Sequence, residues 1–162
     1  MKAHKKLKSI KIKLFILDVD GVLTDGKLYF ADNGMEIKSF NIKDGLGLKL
    51  LLKQGIEIAV ISGRKSPAVQ KRMDELGIKH VYLGKNDKIK IFNYLKKKLR
   101  LKNENIAAIG DDLPDLPIMQ QVGFSIAVKD AVAKVRTLAD YVTKAKGGQG
   151  AVREACELLI TI

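Results

Sequence analysis

The sequence has a single cysteine and no long apolar run, and each shortage excludes a class of protein. Cys156 has no second cysteine with which to form an internal disulfide. In the run AVREACELLI it shares a helical face with Val152 and Leu159, which predicts a buried small hydrophobic side chain; the alternative is a reactive thiol. No apolar run approaches the length that a bilayer-spanning helix needs.

The N-terminal segment has the basic start of a secretion signal but lacks its uninterrupted apolar core. Asp18 and Asp20 fall inside the run IKLFILDVDGVL, and no small-residue cleavage site follows them. We therefore expect a cytoplasmic protein.

The composition is that of one globular domain, residues 1–162, with 46% hydrophobic and 30% charged residues. The net charge of +12 comes largely from the runs MKAHKKLKSIKIK and KKKLRLK. Such clusters could bind nucleic acid. Neither run has interleaved aromatic residues for base stacking, however. We favour solvated helix faces and a field that attracts a small anionic substrate.

Short apolar runs alternate with segments of helical period along the chain. Continuous apolar strands that alternate with helices predict an α/β fold, a doubly wound (Rossmann-like) parallel sheet flanked by helices. Gly55 and Gly77 stand where helices would end, and Pro67 where one would begin. The predicted strands are 13–18, 56–62, 80–84, 105–110 and 124–128, and the predicted helices are 45–54, 67–76, 87–99, 116–122, 131–139 and 149–160.

One segment, 26–40, interrupts the alternation. Asn33-Gly34 lies between two strand-like runs there, which predicts a β-hairpin that projects as a flap. The apolar residues of the flap suit contacts between subunits; the alternative is packing on the flap's own domain. These residues are Leu28, Tyr29, Phe30 and Ile37.

Polar residues stand at the ends of the predicted strands, where an α/β sheet binds its ligands. Asp18 and Asp20 end the first strand, and Lys88 begins the helix after the third. The second strand ends at Ser62, Gly63 and Arg64, and the fourth at Gly110, Asp111 and Asp112. Together these residues predict one crevice that holds carboxylates, a hydroxyl group and cations.

Carboxylates packed this closely need a cation, and Mg²⁺ favours oxygen ligands. A carboxylate beside a phosphoryl group can attack it covalently, while a second carboxylate protonates the leaving alcohol. Each residue also has a simpler interpretation. A DxD pair often decorates a turn, Asp111 and Asp112 would suit a helix N-terminus, and Lys88 alone would be a solvated side chain. Their joint position at the strand ends favours the chemical interpretation.

Four motifs resemble those of the haloacid dehalogenase superfamily over residues 13–128: DVDGVLTD, VISGR, the lysine of GKNDK, and IGDDLPD. The resemblance implies that Asp18 is the nucleophile and Asp20 the general acid and base. It also implies that Ser62 donates a hydrogen bond to the phosphate and that Lys88 stabilises charge. Mg²⁺ would be held by Asp18, Asp111 and the backbone carbonyl of Asp20, with indirect support from Asp112.

The intervals between these motifs are too short for a separate cap domain. The segments NGMEIKSFNIKDGLGLKLL and KAKGGQGAVREACELL also resemble one capless branch, the 3-deoxy-D-manno-octulosonate 8-phosphate phosphatases of lipopolysaccharide precursor synthesis. That branch implies a homotetramer with sites at subunit boundaries. It also implies substrate contacts from Asp20, Asn41, Ile42, Lys43, Asp44, Gly45, Lys49, Arg64, Arg72 and Lys88.

Lys43 and Lys49 depart from that branch, which commonly has arginine at both positions. Lysine lacks the two-pronged geometry with which arginine binds a carboxylate, so recognition of the substrate's carboxylate is expected to differ. Two alternatives remain open: a phosphatase of a related nine-carbon sugar acid phosphate such as N-acylneuraminate 9-phosphate, and a non-catalytic domain of the same fold.

Overall fold

The computed structural model describes residues 6, 7 and 9–160. Its main sheet has six parallel strands in the spatial order β5-β4-β1-β6-β7-β8, and β2 and β3 form a separate antiparallel hairpin. The strands are β1 (Leu14–Leu17), β2 (Tyr29–Phe30), β3 (Glu36–Ile37), β4 (Glu57–Ile61), β5 (His80–Tyr82), β6 (Ile106–Gly110), β7 (Phe124–Ala127) and β8 (Tyr141–Val142).

In the described part of the chain, six α-helices lie between or after these strands, and the sequence predicted each of them. The helix α1 begins three residues before its predicted start, because the side chain of Asn41 accepts a hydrogen bond from the Lys43 amide and caps it there. Pro67 opens α2 as predicted. The helices are α1 (Ile42–Lys53), α2 (Pro67–Leu76), α3 (Lys88–Lys98), α4 (Leu116–Met119), α5 (Ala133–Leu138) and α6 (Ala151–Ile160).

The strand order brings the predicted site residues to one crevice. Numbered along the chain, the sheet runs third, second, first, fourth, fifth, sixth, so the order reverses between β1 and β6. These two strands pair in register, Leu14 with Ile106 and Leu17 with Ile109. Ligands bind outside the carboxyl ends of the strands at such a reversal point, and this is where Asp18 and Asp111 follow their strands.

The core lies on both faces of the sheet, as expected for parallel strands covered by helices. Phe15, Phe92 and Phe124 are fully buried, and each contributes about 1.5–3 kcal/mol through removal of its side chain from water. Cys156 is also fully buried, which confirms its predicted role as a small hydrophobic side chain. It lies where α6 packs on α1, and Gly47 permits the two helices to approach closely there.

The hairpin pairs Tyr29 with Ile37 and Phe30 with Glu36, as Asn33-Gly34 predicted. Gly34 adopts a φ of 79°, a conformation that favours glycine. The apolar side chains of the hairpin remain largely exposed: Leu28, Tyr29, Phe30, Met35 and Ile37. Within the described part of the chain, no helix combines the length and apolar character required to traverse a bilayer.

Candidate active site

A cavity of about 470 Å³ opens at the carboxyl ends of the central strands. Eight of the residues predicted from the sequence line it: Asp18, Asp20, Ser62, Gly63, Arg64, Lys88, Asp111 and Asp112. The remaining lining residues are Gly26, Asn86, Pro114 and Asp115. The strand ends therefore come together in one cavity, as their positions in the sequence predicted.

The turn after β1 exposes its carboxylates to this cavity. The amides of Val22, Leu23 and Thr24 all donate to the carbonyl oxygen of Val19, which winds the chain back on itself. Gly21 has a φ of 87°, and a Cβ there would overlap the carboxylate of Asp111. Glycine at this position therefore lets the loop after β6 approach the loop after β1.

Lys88 joins two carboxylates at the floor of the cavity. Its Nζ atom lies 2.7 Å from Oδ1 of Asp18 and 2.7 Å from Oδ1 of Asp115. The Lys88 side chain is only 8% exposed. Burial acts to lower its pKa, but the two facing carboxylates outweigh burial and raise it, so Lys88 is an ammonium ion.

Asp115 also lines the cavity and contacts Lys88, although the sequence did not single it out. Its second oxygen, Oδ2, accepts hydrogen bonds from the amides of Asp111 at 3.0 Å and of Asp112 at 3.4 Å. Asp115 thus holds the loop after β6 and the ammonium of Lys88 at once. The available signal was its spacing of four residues from Asp111 in IGDDLPD, which one helical turn brings back to the strand end.

Three carboxylates lie close enough to share a cation. Oxygen atoms of Asp18, Asp111 and Asp115 all lie within 4.8 Å of one another. Burial and the charge of Asp115 raise the pKa of Asp18 to about 6. Burial, followed by the charges of Asp18 and Asp115, raises the pKa of Asp111 to about 8. A divalent cation with a preference for oxygen would relieve this repulsion, so the residues fit Mg²⁺.

Asp112 and Ser62 take different positions in the cavity. Asp112 is exposed, and its Oδ1 atom accepts from the Leu113 amide at 2.7 Å, which caps the short 3₁₀ helix 113–115. Ser62 is buried, and its Oγ atom accepts from the Arg64 amide at 3.2 Å. Because that bond uses a lone pair, the Ser62 hydroxyl proton is available to a bound anion.

The flap contacts the cavity through a chain of charges. The Nζ atom of Lys38 is paired with Oδ1 of Asp20 and lies 2.6 Å from Oε1 of Glu36. The other oxygen of Glu36 accepts from Arg64 at 2.7 Å. The Lys38 side chain is 2% exposed; burial acts to lower its pKa, and its pairing with the carboxylates of Asp20 and Glu36 raises it overall. Lys38, like Asp115, was not singled out from the sequence.

The remaining predicted substrate contacts do not line this cavity. Asn41 caps α1, and Asp44 is buried, where its Oδ1 atom accepts from the Arg153 amide at 2.8 Å. A Cβ at Gly45 would overlap the guanidinium of Arg72, so these two positions are neighbours. Ile42, Lys43 and Lys49 are exposed. The structure therefore places these predicted contacts at α1 and α2, outside the lining of the cavity.

Comparison with known proteins gives consistent matches. The haloacid dehalogenase-like hydrolase family matches residues 80–154. The 3-deoxy-D-manno-octulosonate 8-phosphate phosphatase of Salmonella typhi is 49% identical over 157 residues, which are 97% of this chain and 84% of that protein. The corresponding protein of Escherichia coli K12 is 50% identical over 153 residues, 94% of this chain and 81% of that one.

Solved structures agree with these matches. The crystal structure of the 3-deoxy-D-manno-octulosonate 8-phosphate phosphatase from Yersinia pestis has a TM-score of 0.95 at 42% identity and covers 99% of this chain and 85% of its own. The enzyme from Moraxella catarrhalis, solved with magnesium ion, phosphate ion and a KDO molecule, has a TM-score of 0.93 at 45% identity, with coverage of 98% and 90%.

Proposed function

Because this chain belongs to the haloacid dehalogenase-like hydrolases, within the family of the 3-deoxy-D-manno-octulosonate 8-phosphate phosphatases, we propose that it hydrolyses that sugar acid phosphate to the free sugar acid and inorganic phosphate. The observation that carries the proposal is the contact between Lys88 and Asp18 inside a cavity that also holds Asp20, Ser62 and Asp111. Such a reaction contributes a precursor of lipopolysaccharide, and we place it in the cytoplasm.

Asp18, Asp111 and the backbone carbonyl of Asp20 are the groups that would hold Mg²⁺. When bound, the ion neutralises charge on the phosphate and on the crowded carboxylates. Asp115 lies within the same cluster, but both of its oxygens already accept from Lys88 and from two backbone amides. We therefore assign it to positioning Lys88 and the loop after β6.

The reaction proceeds in two displacements. A carboxylate oxygen of Asp18 attacks phosphorus, the ester P–O bond breaks, and Asp20 gives a proton to the departing alcohol oxygen. Asp20 then takes a proton from water, the water oxygen bonds to phosphorus, and the bond from phosphorus to Asp18 breaks. Ser62 donates a hydrogen bond to a phosphate oxygen, and Lys88 balances the charge of Asp18 throughout.

The two anionic ends of the substrate require separate recognition. The cavity binds the phosphate, and Arg64 at its rim is a cation for the sugar acid. The substrate contacts predicted around α1, Asn41 to Gly45 with Lys49 and Arg72, would then come from a neighbouring subunit. The exposed apolar flap supplies a surface for such an assembly, and we propose a homotetramer of single, capless domains.

A substrate panel tests the proposal. Purified protein with Mg²⁺ should hydrolyse 3-deoxy-D-manno-octulosonate 8-phosphate with a higher kcat/KM than N-acylneuraminate 9-phosphate or glucose 6-phosphate. An equal or higher kcat/KM for another sugar phosphate would remove the substrate assignment but leave the assignment as a phosphatase.

Light scattering of the same sample tests the proposed assembly and should give the mass of four chains. A monomer with full activity would exclude the intersubunit contacts.

A further inference from the structure

Two lysines of this protein each bridge a pair of carboxylates at the same cavity. Lys88 bridges Asp18 and Asp115, and Lys38 bridges Asp20 and Glu36. Lys88 arises from the sheet scaffold at the start of α3, whereas Lys38 arises from the flap, just after β3. The nucleophile and the proposed acid and base therefore have separate cationic partners, carried by separate parts of the fold.

The Lys38 ammonium is held in place by its surroundings. Its side chain is 2% exposed, and a buried charge is stable only where opposite charges and hydrogen bonds replace water. Glu36 supplies the second carboxylate at 2.6 Å. Glu36 is fixed in turn by Arg64, whose Nη2 atom donates to Oε2 of Glu36 at 2.7 Å. The chain from Arg64 through Glu36 to Lys38 ties the docked flap to the rim of the cavity.

The contact with Lys38 leaves one oxygen of Asp20 available to a substrate. Lys38 binds Oδ1 of Asp20, so Oδ2 is the oxygen that Asp20 can present to a substrate. Among the described residues, Lys38 is the cation that forms an ion pair with Asp20. Without Lys38, the Asp20 carboxylate could turn about χ2, since that rotation is nearly free. Neither carboxylate oxygen would then be held in the orientation that proton transfer needs.

We propose that Lys38 is a positioning residue, which orients Asp20 for proton transfer to the leaving oxygen and does so only while the flap is docked through Glu36. The inference rests on the proposed function, since it concerns the acid of that reaction. It makes the flap part of the catalytic apparatus as well as a surface for assembly. Lys38 is called a positioning residue because it acts through its contacts with Asp20 and Glu36.

The experiment compares two kinds of leaving group. An alkyl phosphate, such as the sugar acid phosphate, releases an alkoxide-like oxygen that needs a proton as the P–O bond breaks. p-Nitrophenyl phosphate releases an anion that is stable in water and needs none. The parameter is kcat/KM, which reports the steps up to cleavage of the ester bond and so excludes the later hydrolysis at Asp18.

Lys38→Met should lower kcat/KM for the alkyl phosphate by about a hundredfold or more, as expected for loss of general acid catalysis. The fall for p-nitrophenyl phosphate should be less than about fivefold on the same grounds. Lys38→Arg, which keeps a cation at Asp20, should recover most of the alkyl activity. Lys27→Met is the matched control, because Lys27 lies at the base of the same flap with a side chain 73% exposed.

The outcomes separate this inference from the proposed function. Equal losses for both substrates in Lys38→Met, or no loss for either, would overturn the role of Lys38 and leave the phosphatase standing. A wild-type protein that hydrolyses neither substrate would overturn the proposed function, and this inference with it. If Lys38→Met does not fold, the double variant Lys38→Met/Glu36→Gln also removes the negative charge of Glu36 that Lys38 balanced, and permits the same comparison.

Discussion

Gly147 packs directly against the backbone of Gly21, so closely that a Cβ at position 147 would overlap the carbonyl oxygen of Gly21. The next residue, Gly148, donates its amide to the carbonyl oxygen of Val22 at 2.9 Å. Gly147 and Gly148 therefore support the turn that carries Asp20. The amide of Gly147 is itself held by Oδ1 of Asp130 at 3.0 Å.

Gly147→Ala should displace this turn and lower kcat at least about tenfold, because small displacements of reacting groups are costly to catalysis. Circular dichroism and thermal unfolding should show a folded but less stable protein. Gln149→Ala, an exposed change in the same segment, serves as the control. Full activity in Gly147→Ala would show that the turn tolerates the displacement.

Asp18→Asn should lower kcat by at least about a thousandfold, since the amide cannot act as the nucleophile. The fold should persist, because asparagine has nearly the same shape as aspartate. Asp32→Asn on the hairpin turn, an exposed aspartate, is the matched control. Substantial activity in Asp18→Asn, measured after removal of any deamidated protein, would refute the nucleophile assignment.

Lys88→Met should destabilise the fold as well as abolish turnover. The change leaves the carboxylates of Asp18 and Asp115 without their shared ammonium, and breaking a buried ion pair in this way costs about 3–5 kcal/mol. Urea unfolding of the metal-free protein measures the loss. Lys90→Met, two residues further along α3 and exposed, should leave the stability nearly unchanged. Similar midpoints for the two variants would contradict the pairing.

The metal-free protein should lose stability as pH rises from about 4 to about 8 because of Asp111. Its pKa of about 8 in the folded protein lies above the usual 3.8, so the folded state holds a proton there that the unfolded state has released. Folding is then favoured by Asp111 at low pH, and that contribution disappears as pH passes 8. The wild-type minus Asp111→Asn difference in unfolding free energy isolates the effect from other titrating groups.

Mg²⁺ should oppose this loss. At pH 8 the ion should raise the unfolding temperature of the wild-type protein more than at pH 5, where protons compete for the same carboxylates. A wild-type minus Asp111→Asn difference that does not change with pH, or a Mg²⁺ effect equal at both pH values, would contradict the electrostatic description of the site.

The five longer strands and the six helices were predictable because each has a local signature. Buried strands such as β1 and β6 are continuous apolar runs, and a residue such as Pro67 marks a helix start. The strand β8 escaped prediction because it has two residues and neither is buried. The start of α1 was placed too late because exposed Ile42 and the two glycines, Gly45 and Gly47, weaken the helical pattern there.

The candidate site likewise contains residues that were identifiable from the sequence and residues that were not. Four site residues were identifiable because each stands at or just beyond the end of a predicted strand, and the carboxyl ends of parallel strands meet at one edge: Asp18, Asp20, Ser62 and Asp111. Asp115 and Lys38 have no such marker. Lys38 meets Asp20 across 18 residues of chain, and Lys88 meets Asp115 across 27.

By itself, then, the sequence determined the alternation of strands and helices and the carboxylates that end the strands, because apolar periodicity and turn residues act within a few residues of chain. Only the tertiary structure decided which of the 30 lysines and arginines would face which carboxylate. Such pairing depends on distances of a few ångströms, and those distances arise only when the strands assemble into the sheet and the flap packs beside the cavity.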